Sequence, residues 1–110
     1  MGLAGFRGAM GTFVRVAKVH EVPPGSSKVV VAGGHTVALF NVDGTFHALS
    51  NVCLHRGGPV GEGSLEGTTV ACPWHGWEYD VRTGQNVTNP SARLRQFPVR
   101  VEGDDVLVEA

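Results

Sequence analysis

Between Asn51 and Arg93 a glycine or proline recurs at positions 57, 58, 59, 61, 63, 67, 73, 76, 84 and 90. No long helix and no long strand survives that spacing, so this stretch is expected to be rich in loops. The chain on either side reads differently. Thr12–Lys18, Lys28–Ala32, Thr36–Asn41, Thr45–Leu49, Phe97–Glu102 and Val106–Glu109 are rich in Val, Phe and Thr, the residues that suit a pleated, half-buried surface. Gly33-Gly34, Asp43-Gly44 and Gly103-Asp104 lie between these runs and supply residues that tolerate positive φ in tight hairpins. The expectation is an all-β fold of antiparallel sheets, with a loop-rich subdomain over about 51–93 inserted into the base strands.

A chain of 110 residues has room for one domain, assigned to 13–110, with residues 1–12 as an N-terminal extension that rests on the domain or on a neighbouring chain. A formal net charge of −1 argues against a nucleic-acid binder. No apolar stretch approaches the roughly 20 residues of a membrane-spanning helix, which predicts no membrane partner. The Gly-rich start lacks the apolar core of a signal peptide, and Phe6 breaks the myristoylation pattern, so the expected location is the cytoplasm. In that compartment a pair of cysteines more often binds metal than forms a disulfide. Asn86-Val87-Thr88 formally fits a glycosylation acceptor and is read as chance.

Both cysteines fall inside the loop-rich stretch, each beside a histidine: Cys53-Leu54-His55 and, after sixteen intervening residues, Cys72-Pro73-Trp74-His75. Thiolate and neutral imidazole are both good ligands for iron or zinc, and such short spacings let one loop deliver two ligands. Structural zinc sites usually group Cys with Cys and His with His, whereas here each pair is mixed. An asymmetric two-iron cluster suits the mixture if each loop gives its cysteine to one iron and its histidine to the other. A zinc-stabilised interaction module is the alternative from another class.

Cys53-Leu54-His55-Arg56-Gly57-Gly58 together with Cys72-Pro73-Trp74-His75-Gly76-Trp77-Glu78-Tyr79-Asp80 resembles the Rieske family. The resemblance extends from Phe13 onward and includes Asn89-Pro90-Ser91, where the family has its proline loop. It implies stacked antiparallel sheets with a small cluster-binding subdomain, and one [2Fe-2S] cluster held by Cys53, His55, Cys72 and His75. Respiratory-complex members carry two further cysteines, at positions that here are Gly58 and Trp74, so their disulfide cannot form. The serine that donates a hydrogen bond to the cluster in that branch is replaced by Trp77, while Tyr79 is retained. Fewer donors to the sulfurs leave the reduced cluster less stabilised, so a low potential near −150 mV is expected.

This pattern is similar to the ferredoxins of bacterial aromatic-ring dioxygenase systems. It implies a one-electron carrier, not an enzyme, whose partners are a flavoprotein ferredoxin reductase and a terminal oxygenase. His20, His35 and His47 precede the motif and do not form the mononuclear iron site of an oxygenase subunit. The small Rieske-like subunit of an assimilatory nitrite reductase is the runner-up within the fold. Gly57, Gly58 and Gly76 are expected to let the ligand loops bend, Pro90 to lie over the cluster, and Leu54 to meet a partner from the first loop's tip. Trp74 and Trp77 would shield the cluster or contact a partner, and Arg56 would steer an acidic one.

Overall fold

A computed structural model describes residues 12–110. Except for Thr12, the expected N-terminal extension lies outside the described residues. Among the described residues ten strands and two single-turn 3-10 helices follow in order. β1 (Phe13–Lys18) leads through the helical turn Val19–Glu21 to β2 (Ser27–Ala32), β3 (His35–Val42) and β4 (Thr45–Ser50). The helical turn Val60–Glu62 precedes three short strands, β5 (Ser64–Glu66), β6 (Thr69–Ala71) and β7 (Glu78–Asp80), and the chain ends in β8 (Gln96–Phe97), β9 (Val99–Glu102) and β10 (Asp105–Glu109).

These strands form three antiparallel sheets, ordered β9-β10-β1, β2-β3-β4-β8 and β5-β6-β7. The all-β expectation holds, and the five longest strands begin and end within a residue of the expected runs. The run Phe97–Glu102 does not stay whole. Pro98 splits it, because a proline has no N–H to give a ladder. Phe97 therefore pairs with Ala48 in the four-stranded sheet, while Val99 onward pairs with β10 in the other. The middle stretch is more ordered than its glycines imply: β5, β6 and β7 form a small sheet of three-residue strands, too short to show an alternation in the sequence.

The four-stranded sheet is the middle layer, and β3 shows why. Its residues Val37–Asn41 are buried without a break, so side chains pointing to both faces leave water. Val37 and Leu39 join Ala17, Val22, Val30, Val106 and Val108 in one core, under the β9-β10-β1 sheet. Ala38 and Phe40 join Leu49, Val60, Val70, Tyr79, Val81 and Leu94 in a second core, under the β5-β6-β7 subdomain. Burying a side chain such as Phe40 contributes roughly 1.5–3 kcal/mol. Cys53 and Cys72 belong to this second core.

Two buried asparagines fasten the layers. The Asn41 amide donates to the Val22 carbonyl at 2.7 Å and accepts from the Gly44 N–H at 2.7 Å, fixing the Asp43-Gly44 hairpin. The Asn51 carbonyl oxygen accepts from the Gly61 N–H at 2.7 Å, and the Asn51 backbone oxygen from Val60 at 2.9 Å, so the chain's exit from β4 is tied to the helical turn that re-enters the subdomain.

Candidate metal centre

Cys53 follows β4 on a loop that an isolated Val52–Pro59 bridge closes, and Cys72 follows β6 on a loop closed by the Ala71–Glu78 pair of β6 and β7. The two loops share one skeleton. In the first, the Cys53 N–H donates to the Gly58 carbonyl at 3.0 Å and the Gly57 N–H to the Cys53 carbonyl at 2.8 Å. In the second, the Cys72 N–H donates to the Trp77 carbonyl at 2.8 Å and the Gly76 N–H to the Cys72 carbonyl at 2.9 Å. Each return requires a left-handed residue four places after the cysteine. Gly57 and Gly76 supply it with φ of 75° and 74°, at no steric cost. Sequence reasoning did not compare the two loops; the repeated Cys-to-Gly spacing, 53 to 57 and 72 to 76, is the signal that marks them as equivalent.

Gly58 serves differently. It is not left-handed; a Cβ there would lie 2.8 Å from the Cys72 sulfur and 3.0 Å from the Trp74 ring. The absence of a side chain lets the second loop's thiol and indole close over the first loop. Trp74 thus occupies the neighbourhood of Gly58, and the two cysteines remain separate thiols.

The four candidate ligands form an inside and an outside pair. Cys53 and Cys72 are buried at 3% and 2% exposure, whereas His55 and His75 are exposed, with ring centroids 4.6 Å apart and nearly perpendicular. Trp77 stacks on His55 at 4.6 Å with planes 14° apart. Sequence reasoning assigned Trp77 to shielding or to a partner but not to this stack, because nothing in linear spacing joins residues 55 and 77. Pro90 is exposed on the loop that follows β7. The Asn86 side chain shapes that loop by accepting from the N–H groups of Thr88 and Asn89 at 3.0 and 2.8 Å. Asn86, Thr88 and Asn89 face Gly76 and Trp77 across a groove of about 380 Å³. On the ligand loops themselves Leu54, Trp74 and Trp77 expose large apolar surface, and Arg56 is also exposed.

Fully buried Tyr79 underlies the first thiol. Its hydroxyl accepts from the Leu54 N–H at 3.2 Å and lies 3.3 Å from the Cys53 sulfur, so it is placed to donate its own proton when that sulfur is a thiolate. Burial, reinforced by the Cys53 contact, pushes the phenol up to about 12, which keeps that proton in place. Burial also raises the two thiols. At Cys53 the Tyr79 hydroxyl and the His55 N–H outweigh it and the thiol ends below its ordinary value, while Cys72 stays above. Desolvation, then the neighbouring His75 and Arg56, hold the His55 imidazole down and favour the neutral form a metal ligand needs.

Among the described residues no three His, Cys, Asp or Glu side chains converge closely enough to hold one metal ion. A binuclear cluster asks only two ligands of each metal. Two buried sulfur donors, two neighbouring imidazoles and a hydrogen-bond donor at one sulfur fit an iron-sulfur cluster with mixed ligation.

Comparison with known proteins agrees. The Rieske [2Fe-2S] domain family matches residues 12–98. The biphenyl dioxygenase ferredoxin subunit of Pseudomonas sp. (strain KKS102) is 41% identical over 100 residues, which is 89% of this chain and 92% of that protein. The ferredoxin of carbazole 1,9a-dioxygenase from Nocardioides aromaticivorans IC177 superposes with a TM-score of 0.83 at 29% identity, over 89% of this chain and 97% of that one. A chain from a complex of reduced oxygenase and oxidised ferredoxin in carbazole 1,9a-dioxygenase gives 0.81 at 29% identity, over 88% and 92%. A structure described as a putative nitrite reductase small subunit gives 0.78 at 22% identity, over 90% and 99%, and shares the fold alone. The chain belongs to the Rieske [2Fe-2S] family and is one of its ferredoxins, an electron-transfer protein with one Rieske-type cluster and no catalysis of its own.

Proposed function

We propose that Cys53, His55, Cys72 and His75 hold the [2Fe-2S] cluster, each loop giving its cysteine to one iron and its histidine to the other, within a single domain over 13–110. The observation that carries this reading is the pairing of two loops with one skeleton, each setting its thiol inside and its imidazole outside. When bound, the cluster takes up and releases one electron at a time. The residues around it do the rest. The second core keeps water from the sulfurs, and Tyr79 holds a proton on the Cys53 side. His55 and His75 present their rings where a partner can approach.

The physiological route runs from a flavin-dependent ferredoxin reductase, through this carrier in the cytoplasm, to a terminal oxygenase. The exposed apolar side chains of Leu54, Trp74 and Trp77 on the ligand loops support docking at the histidine end, because such a patch otherwise stays in water. Tyr79 is the one hydroxyl among the described residues that hydrogen-bonds a sulfur, which supports a potential near the low end of the Rieske range, about −150 mV.

The test is an absorption and EPR spectrum of anaerobically prepared protein before and after dithionite. The assignment requires a Rieske spectrum that His55→Ala and His75→Ala each abolish while the base sheets persist. A colourless protein containing zinc, or an unchanged spectrum in either variant, rejects it.

A further inference from the structure

We propose that a second hollow, beside the first ligand loop and separate from the histidines, receives a carboxylate from the surface of the redox partner. This rests on the electron-carrier reading. His35, Thr36, Ser50, Val52, Arg95 and Phe97 line a depression of about 210 Å³ at the end of the four-stranded sheet from which Cys53 departs. The register places its side chains together. Val37 pairs with Ser50 and Ala48 with Phe97, and the Ser50 N–H donates to the Arg95 carbonyl at 2.8 Å, continuing the ladder. With a side-chain period of two, His35, Ser50, Val52, Arg95 and Phe97 project from one face.

Phe97 is buried and forms the platform. The Arg95 guanidinium carbon lies 4.6 Å from the centre of its ring, and the His35 ring lies 5.6 Å from the same ring. Stacking fixes the guanidinium while leaving its N–H fork for an acceptor. Among the described residues no carboxylate comes within ion-pair distance of Arg95 or His35, and residues 1–11 contain no Asp or Glu. The hollow therefore offers an arginine and an imidazole that no carboxylate of the described residues reaches within ion-pair distance, beside a serine hydroxyl, which is the chemistry that recognises a carboxylate.

Val52 decides the occupant. It lines the hollow, stands half exposed directly before Cys53, and has a side-chain carbon 3.7 Å from where a Cβ at Gly57 would lie. The hollow therefore borders the first ligand loop, the one that carries His55. A partner seated over the histidines reaches the hollow with an Asp or Glu of its own, and a charged rim contact of this kind acts mainly on the rate of association and on orientation.

The experiment titrates 15N-labelled, oxidised holo-protein at low ionic strength with acetyl-Glu-Glu-amide and, separately, with inorganic phosphate. The proposal expects saturable shifts with the dipeptide at the amides of His35, Ser50 and Val52 and at the Arg95 side chain. Arg95→Gln should weaken the apparent Kd tenfold or more, and Arg95→Lys should fall between. Shifts spread evenly over the basic side chains, or unchanged in Arg95→Gln, overturn it. A response to phosphate but not to the dipeptide also overturns it, in favour of a site for a free inorganic anion. The absorption spectrum of the same samples separates the two readings: an intact Rieske spectrum without docking removes only the hollow, whereas its absence removes the carrier.

Discussion

Tyr79 shows how much one side chain contributes at this site. Its hydroxyl is buried and protonated, accepts from the Leu54 N–H, and has the Cys53 sulfur at 3.3 Å to donate to. A donor to sulfur stabilises the more negative, reduced state, so Tyr79→Phe should lower the reduction potential and leave the sheets intact. About 1 kcal/mol for one hydrogen bond corresponds to roughly 40 mV for a one-electron couple. A potentiometric titration followed by EPR reads this directly, and an unchanged potential would mean the hydroxyl points elsewhere in the loaded protein. The sequence made Tyr79 and the four candidate ligands legible, because their types and spacing are distinctive. It hid the reason for Gly58, whose neighbours Cys72 and Trp74 are distant in the chain and meet it only after folding.

The connections between elements carry the precision of the loops. Gly63 joins the helical turn Val60–Glu62 to β5, and a Cβ there would run into the Ala71 carbonyl, one residue before Cys72. Gly63→Ala should push β6 and the second loop outward. The expected cost is about 1–3 kcal/mol, measured by thermal unfolding, together with faster loss of the cluster absorbance. At the end of β7, the Asp80 carboxylate takes hydrogen bonds from the Arg82 guanidinium at 2.9 and 3.1 Å, which hold its pKa below the usual carboxylate value. A depressed folded-state pKa adds stability above the ordinary value near 4 and loses it as the pH falls through the folded one. The difference in melting temperature between the wild type and Asp80→Asn should therefore be present at pH 6 and shrink towards pH 3. A gap that stayed constant would show that this pair does not matter to the fold. At this scale the long strands were readable from their Val, Phe and Thr runs, and the hairpins from their Gly and Asp. β5 to β7 were not, since three residues are too few to display a period and their stability comes from Val70 and Tyr79 in the second core.

Across the whole molecule, the middle sheet separates a core that includes the candidate sulfur ligands from one that does not. Removing the iron with a chelator should raise amide exchange at residues 53–58 and 72–77, and then in β5 to β7. The amides of β1, β9 and β10 should keep their protection. Uniform exchange throughout would show that the two halves unfold as one unit. The placement of both imidazoles at one exposed end has a further consequence for traffic. With His55 and His75 as the proposed ligands and docking at their end, the carrier is not charged and discharged at once: donor and acceptor take turns, and each blocks the other while it stays. Steady-state turnover should then pass through a maximum as either partner is raised in excess, the behaviour of a shuttle and not of a wire.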